Sequence, residues 1–165
     1  MIDLLKNIAG DCPRGTALLG LDVGKKTIGL ALSNPDQSLA TPLQTIKRTK
    51  FTKDILVLEQ VVKDYEVGGF VIGLPINMDE SEGPRAQSIR DFAAELVRYP
   101  AIVGDAPWVA LWDERLSTKS VEDIVDNFVD KRSKRVRAKE SGLIDKLAAQ
   151  IILQGALDFL AHDAR

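Results

Sequence analysis

The chain has 165 residues, 45% hydrophobic and 28% charged, with a net charge of −2; this excludes wholesale disorder and argues against indiscriminate polyanion binding. Cys12 and His162 are the sole cysteine and histidine, so an intramolecular disulfide, a thiolate zinc site and any histidine-based triad or His-rich metal centre are excluded too. The longest uncharged stretch, Val67 to Met78, is well short of the roughly 20 residues that span a bilayer, and a lone cysteine fits a reducing cytoplasm.

Residues 1–15, MIDLLKNIAGDCPRG, lack the long apolar core of a secretory signal and read as an N-terminal extension of a single domain. Residues 16–23, 28–33 and 41–47 are short, rich in Leu, Ile, Val and Thr, and separated by turn-forming residues, which predicts three antiparallel strands. Phe51, Ile55, Leu58, Val61, Val62 and Tyr65 fall at helical spacing, and VGGFVIGLP then reads as a buried strand stopped by Gly73 and Pro75.

Pro84 suits the first turn of a helix with the stripe Ala86, Ile89, Ala93, Leu96 and Val97. WVALW forms a fifth strand, in which Trp108 and Trp112 share a face and belong to the core. A helix is expected from Thr118 on Val121, Ile124, Val125 and Phe128, followed by a mobile basic loop over residues 130–141. A final helix carries Ile144, Leu147, Ala148, Ile151, Ile152, Phe159 and Leu160, with His162 solvated beyond it. The order βββαβαβαα makes an α/β fold with a mixed five-stranded sheet and helices on both faces.

Without a usable His or Cys, the chemically capable groups are carboxylates. Asp22 lies near the end of strand one in LLGLDVGKKTIGLAL, Glu114 follows strand five in LWDERLST, and Asp145 opens the final helix in SGLIDKLAAQIIL. Residues just beyond strand ends line the crevice of an open α/β sheet. Asp145 also has a purely structural reading, as an acid favouring the positive end of its helix, and Asp113 and Glu114 could simply link a strand to a capped helix.

Asp22 is harder to dismiss, because an unpaired carboxylate in a strand buried on both faces costs several kcal/mol. Lys25 or Lys26 could neutralise it, and so could a metal: converging carboxylates suit hard divalent ions such as Mg²⁺ or Mn²⁺. Two such ions support phosphodiester cleavage. The two-residue repeat of a strand sends Asp113 and Glu114 to opposite sides, and Glu114 is the one expected in the site. The basic run is a solvated loop by default, and a phosphate-holding element if it adjoins such a site.

These stretches together resemble the YqgF, or RuvX, family of bacterial RNase H-like nucleases. LLGLDVGKKTIGLALSN is similar to the family's opening strand motif, VIGLPINMDESEGPRAQSIRDFAAEL to its Gly-Leu-Pro-Asn loop and helix, LWDERLST to its Asp-Glu-Arg motif and IDKLAAQIILQGALD to its terminal helix. The resemblance implies an RNase H-like fold and metal-dependent nuclease chemistry at Asp22, Glu114 and Asp145. Lys26, Asn77, Arg115, Lys134, Arg135, Arg137 and Lys146 would hold nucleic acid.

The implied substrate is precursor ribosomal RNA, matured at the 5′ end of the 16S species, or a Holliday junction. Pre-ribosomal particles are implied partners, and the protein is expected as a monomer or homodimer. Two positions depart from the family pattern: Thr27 stands where arginine is common and Glu80 where glycine is usual. The D-x-G stretch also resembles the phosphate loop of fold-related ATPases, so a nucleotide-binding domain and a non-catalytic RNA-binding assembly module are the alternatives of other classes.

Overall fold

The computed structural model describes residues 1–116 and 141–162. In chain order the elements are β1 (Ile2–Leu4), α1 (Leu5–Ile8) with a 3₁₀ turn (Ala9–Asp11), β2 (Ala17–Val23), β3 (Thr27–Ser33), β4 (Ala40–Lys47) and α2 (Phe51–Tyr65). They continue with β5 (Val67–Leu74), α3 (Pro84–Leu96), α4 (Pro100–Val103), β6 (Val109–Asp113) with a 3₁₀ turn (Glu114–Leu116), and α5 (Ser141–His162). The helix expected from Thr118 and residues 130–140 of the basic loop lie outside the described residues; Ser141 already belongs to α5.

One mixed sheet has the strand order β1-β6-β5-β2-β3-β4. The β1/β6, β6/β5 and β5/β2 pairs are parallel, whereas β2/β3 and β3/β4 are antiparallel. The expected class holds, with six strands among the described residues instead of five. The added one, β1, comes from the segment read as an extension: Ile2, Asp3 and Leu4 pair with Val109, Ala110 and Leu111. Three residues are too few to show a period, and their only partner is about a hundred positions away. Gly73 does not stop β5 either, since it pairs with Trp112 inside the ladder.

Alternation along the strands separates two cores. Leu19, Leu21 and Val23 of β2 face Ile55, Leu58, Ile89, Ala93 and Leu96 of α2 and α3. Leu18 and the other even positions face α5 and the α1 segment, among Trp108, Trp112, Leu153 and Leu157. Both tryptophans are buried as expected; Trp108 Nε1 donates to the Ile8 carbonyl at 2.9 Å and the Trp112 ring meets Phe159 edge-on.

The stripe on α5 is rotated from the expected one. Ile151, Ile152 and Leu160 are buried as expected, joined by Ala149, Leu153, Ala156 and Leu157, whereas Ile144, Leu147, Ala148 and Phe159 are only partly buried. Small alanines let the helix lie close to the sheet, with the Leu153 side chain against Gly20, and hydrophobicity alone underweights them. His162 is exposed at the end of α5. No helix among the described residues is long and apolar enough to cross a membrane.

Candidate active site

Because β2, β5 and β6 run parallel, their C-terminal ends open on one edge of the sheet, where Asp22, Leu74 and Asp113 lie. Asp22 has the strand parity of Leu18 and Gly20, so it sits on the α5 side, and its β3 partner is Gly29. The backbone of Asp145 occupies the place where a Cβ on Gly29 would stand. Glycine is therefore required there, and the start of α5 rests directly on β3 beside Asp22.

The Thr45 hydroxyl also donates to the Gly142 carbonyl, tying the first turn of α5 to β4. Asp145 is the fifth residue of α5, one turn past the position at which the helix dipole alone would explain an acid. It lies four residues before Ala149, on the sheet-facing stripe. Thr27 Oγ1 donates to Asp145 Oδ2 at 2.7 Å.

Glu114 leaves β6 in the 3₁₀ turn and returns to the same side. A Cβ on Gly73 would stand 2.6 Å from Glu114 Oε1 and 2.6 Å from Ile152 Cδ1, so the absent side chain of Gly73 makes room for the acid. Asp113, one residue earlier, has the opposite parity. Arg115 holds it through Nη2 at 2.7 Å from Oδ2 and Nε at 3.1 Å from both oxygens. The two neighbours thus part company across the sheet, and Glu114 is the one beside Asp22.

The electrostatics couple these acids. Burial, then the charge of Asp145, raises Asp22 to about 6, with Arg85 partly opposing. Burial, then the charge of Asp22, likewise raises Glu114, again eased by Arg85. Among the described residues, no three such side chains already stand close enough to enclose a metal ion. Asp145 is turned onto Thr27 instead. As hard oxygen donors, the three still fit a divalent cation, and Asp22 and Glu114 hold their protons more tightly than ordinary carboxylates.

Of the other expected residues, Lys26 is exposed in the β2–β3 turn and Lys146 partly buried beside Asp145. Asn77 is exposed, but its amide donates to Ser81 Oγ at 3.0 Å within its own loop. Arg115 is engaged by Asp113 and also donates to the Asn77 carbonyl at 3.4 Å. Lys134, Arg135 and Arg137 lie outside the described residues. Sequence reasoning missed Arg85, and it noted Thr27 without its hydrogen bond to Asp145. Arg85 follows Pro84 at the start of α3, directly after the glycine-proline loop, and that position was its available signal.

The sheet order, with α5 across one face and acids at one strand end, defines an RNase H-like α/β protein. The fold matches Thermus thermophilus RuvC in complex with a Holliday junction substrate, with a TM-score of 0.54 at 14% identity, covering 90% of this chain and 97% of that one. A second Thermus thermophilus RuvC structure matches with a TM-score of 0.51 at 13% identity, covering 91% and 99%.

The chain belongs to the RuvX family, described as Holliday junction resolvase, whose profile matches residues 16–159. A relative from Rhodospirillum centenum is 47% identical over 156 residues, covering 94% of this chain and 80% of the relative. Another, from Paramagnetospirillum magneticum, is 52% identical over 145 residues, covering 88% and 87%. Both are named "Putative pre-16S rRNA nuclease".

Proposed function

We propose that the chain is a metal-dependent endonuclease that cleaves phosphodiester bonds in structured nucleic acid, with the 5′ end of precursor 16S ribosomal RNA as its substrate. One observation carries the chemistry: Asp22 and Glu114 are partly buried, both hold their protons more tightly than ordinary carboxylates, and Asp22 feels Asp145 as well. Such a cluster of like charges gains from a doubly charged ion. The names of the relatives supply the substrate.

Asp22, Glu114 and Asp145 would hold Mg²⁺ or Mn²⁺. Bound there, the ions supply a Lewis acid and an activated water. The remaining residues position the strand. Lys26 and Lys146 flank the acids and hold phosphate, Asn77 and Arg115 contribute at the rim of the β6 turn, and Lys134, Arg135 and Arg137 of the basic run are assigned to phosphate as well. Thr27 fixes one oxygen of Asp145 and so restricts its swing, as outer hydrogen bonds do for carboxylate ligands.

The second reading, a Holliday junction resolvase, has the family description behind it. Both are tested by offering purified protein precursor 16S RNA and a four-way DNA junction, each with Mg²⁺, Mn²⁺ or EDTA and with Asp22→Asn alongside. Cleavage of the RNA alone, abolished by EDTA and by the substitution, is the expected result. Junction cleavage with the same dependences moves the substrate to DNA. Cleavage that survives both EDTA and Asp22→Asn overturns the assignment of the acids, and nucleic-acid binding with no divalent-dependent product replaces the enzyme with a binding module.

A further inference from the structure

A cavity of about 550 Å³ opens at the same end of β2 as Asp22, on the α2–α3 side, where the β2–β3 turn, the segment after β4 and the start of α3 meet. Gly24, Lys25, Arg48, Thr49, Arg85 and Ser88 line it. Its wall holds three cations and two hydroxyls and no acid. Among the described residues, Lys25 and Arg85 form no ion pair. Arg85 also reaches the acids, since its charge opposes the raised proton affinity of both Asp22 and Glu114.

The wall is built from supported parts. Arg48 Nη1 donates to the Gly24 carbonyl at 2.6 Å, and the Arg48 guanidinium lies 5.7 Å from the Phe92 ring centre. Asp54, buried at 4% exposure, accepts from the Thr49 backbone N–H at 3.1 Å and stands 4.0 Å from Arg48 Nε. Asp54 thereby positions both Arg48 and Thr49. The α3 helix starts at the cavity with Pro84, and no side chain caps it, which adds the positive end of a 13-residue helix dipole to the cationic wall.

We infer that this cavity is a second phosphate subsite, which holds a phosphodiester of the bound strand next to the one cleaved at Asp22. An arginine fork, a lysine point charge and hydroxyl donors around one opening match a phosphate group. Val23 and Gly24, which line the cavity, directly follow Asp22 in the chain, and Arg85 lines it while acting on Asp22 and Glu114, so a strand that passes from the acids over the end of β2 to the α2–α3 side meets this opening. Lys25, Arg48 and Ser88 are thus assigned to grip, and Arg85 stands between the two sites.

The inference rests on the nuclease reading, and its test separates the two. The substrate that is cleaved is prepared with single methylphosphonate linkages, which remove one charge at a time on either side of the cleavage site. Binding of each is measured by fluorescence anisotropy in EDTA over a range of salt concentrations. Wild-type protein is expected to lose affinity most at one flanking linkage. In Lys25→Gln that particular loss disappears, and the slope of log affinity against log salt falls by about 0.7–0.9, the share of one phosphate contact.

Lys25 is exposed, so the substitution leaves the fold intact, and Lys25→Arg restores the profile. Ser88→Asp, which puts a negative charge into the same wall, lowers affinity and flattens the same linkage dependence. A linkage profile and salt slope unchanged in Lys25→Gln and Ser88→Asp, in a protein whose wild type cleaves, overturn the subsite and leave the nuclease standing. If wild type neither binds nor cleaves nucleic acid, both readings fall together.

Discussion

At the end of β6 the sheet carries two adjacent acids in opposite conditions. On the α2–α3 side, burial works against Asp113, but hydrogen bonds from the Arg115 side chain and backbone, together with its charge, hold the carboxyl below the ordinary range. On the α5 side, burial and Asp22 push Glu114 above it, and Asp22 itself rises to about 6. One side has its counter-charge built into the chain. The other gathers acids around glycine-made space, with Arg85 opposing the raised proton affinity of Asp22 and Glu114, an arrangement that a bound cation would further stabilise.

The contrast breaks most visibly at Asp22. Asp22→Asn is expected to lower metal-dependent cleavage by more than about a hundredfold, beyond the loss an outer-shell partner causes. The same substitution should stabilise the metal-free protein. A carboxyl whose folded pKa lies above its unfolded one binds more protons when folded, so its presence lowers stability as pH rises from about 4 to about 6. At pH 8 in EDTA, Asn removes that penalty, a gain on the order of 1–3 kcal/mol. The gain should shrink as pH falls through 6 and vanish near 4, as read by chemical denaturation. Loss of stability at pH 8 would mean that Asp22 is a paired structural acid like Asp113.

Gly29→Ala attacks the same side through the backbone. The obstructing atoms belong to the main chain of Asp145, so they cannot rotate away and the start of α5 must move. The expected cost is about 1–3 kcal/mol, as for other overpacked sites, with cleavage lost as Asp145 shifts. Hydrogen exchange should quicken in the first turns of α5 and hardly at all in α2. Uniform loss of protection would show that α5 is not held at its start by β3.

On the paired side, Arg115→Ala leaves Asp113 partly buried without its partner. Here the sign is reversed. Asp113 has a folded pKa below its unfolded value, so the stability it contributes is present above about pH 4 and disappears as pH falls through the folded pKa. Arg115→Ala should therefore lower the melting temperature at pH 7 and have progressively less effect below pH 4. A difference that persists unchanged in acid would assign the loss to packing of the arginine stem.

The contrast also separates what the sequence discloses from what only the structure supplies. β2 to β6 and α2, α3 and α5 follow from local period and turn residues, and Asp22 stands out because it interrupts an apolar strand. Strand parity separates Glu114 from Asp113, and the structure puts Glu114 on the side of Asp22. The rest is long-range. β1 exists only because β6 offers an edge, the α5 stripe is rotated by the approach of its alanines to the sheet, and Thr27 meets Asp145 across 118 positions of sequence. Arg85 and Lys25 look like ordinary surface charges until three segments meet around the cavity. Asp145 could have been read better: it lies on the stripe of Ala149 and Leu153, so an acid was already facing the sheet.

The smallest expected effect belongs to Glu80, on the rim of the paired side, where a cavity of about 360 Å³ also contains Asp113 and Arg115. Glu80 has φ of 69°, in the left-handed region, and donates its backbone N–H to the Asn77 carbonyl at 2.9 Å. The family resemblance gives glycine at this position, and the conformation supplies the reason, since glycine adopts it without a side-chain clash. Glu80→Gly removes that strain but gives the unfolded chain more freedom, so a net gain of no more than about 0.5–1 kcal/mol is expected. The charge of Glu80 also strengthens Arg115's hold on its proton, although the hydrogen bonds to Asp113 come first. A melting temperature that rises slightly, and equally at pH 4 and pH 7, locates the strain in the backbone. A rise confined to one pH would instead make Glu80 an electrostatic partner of the Asp113–Arg115 pair.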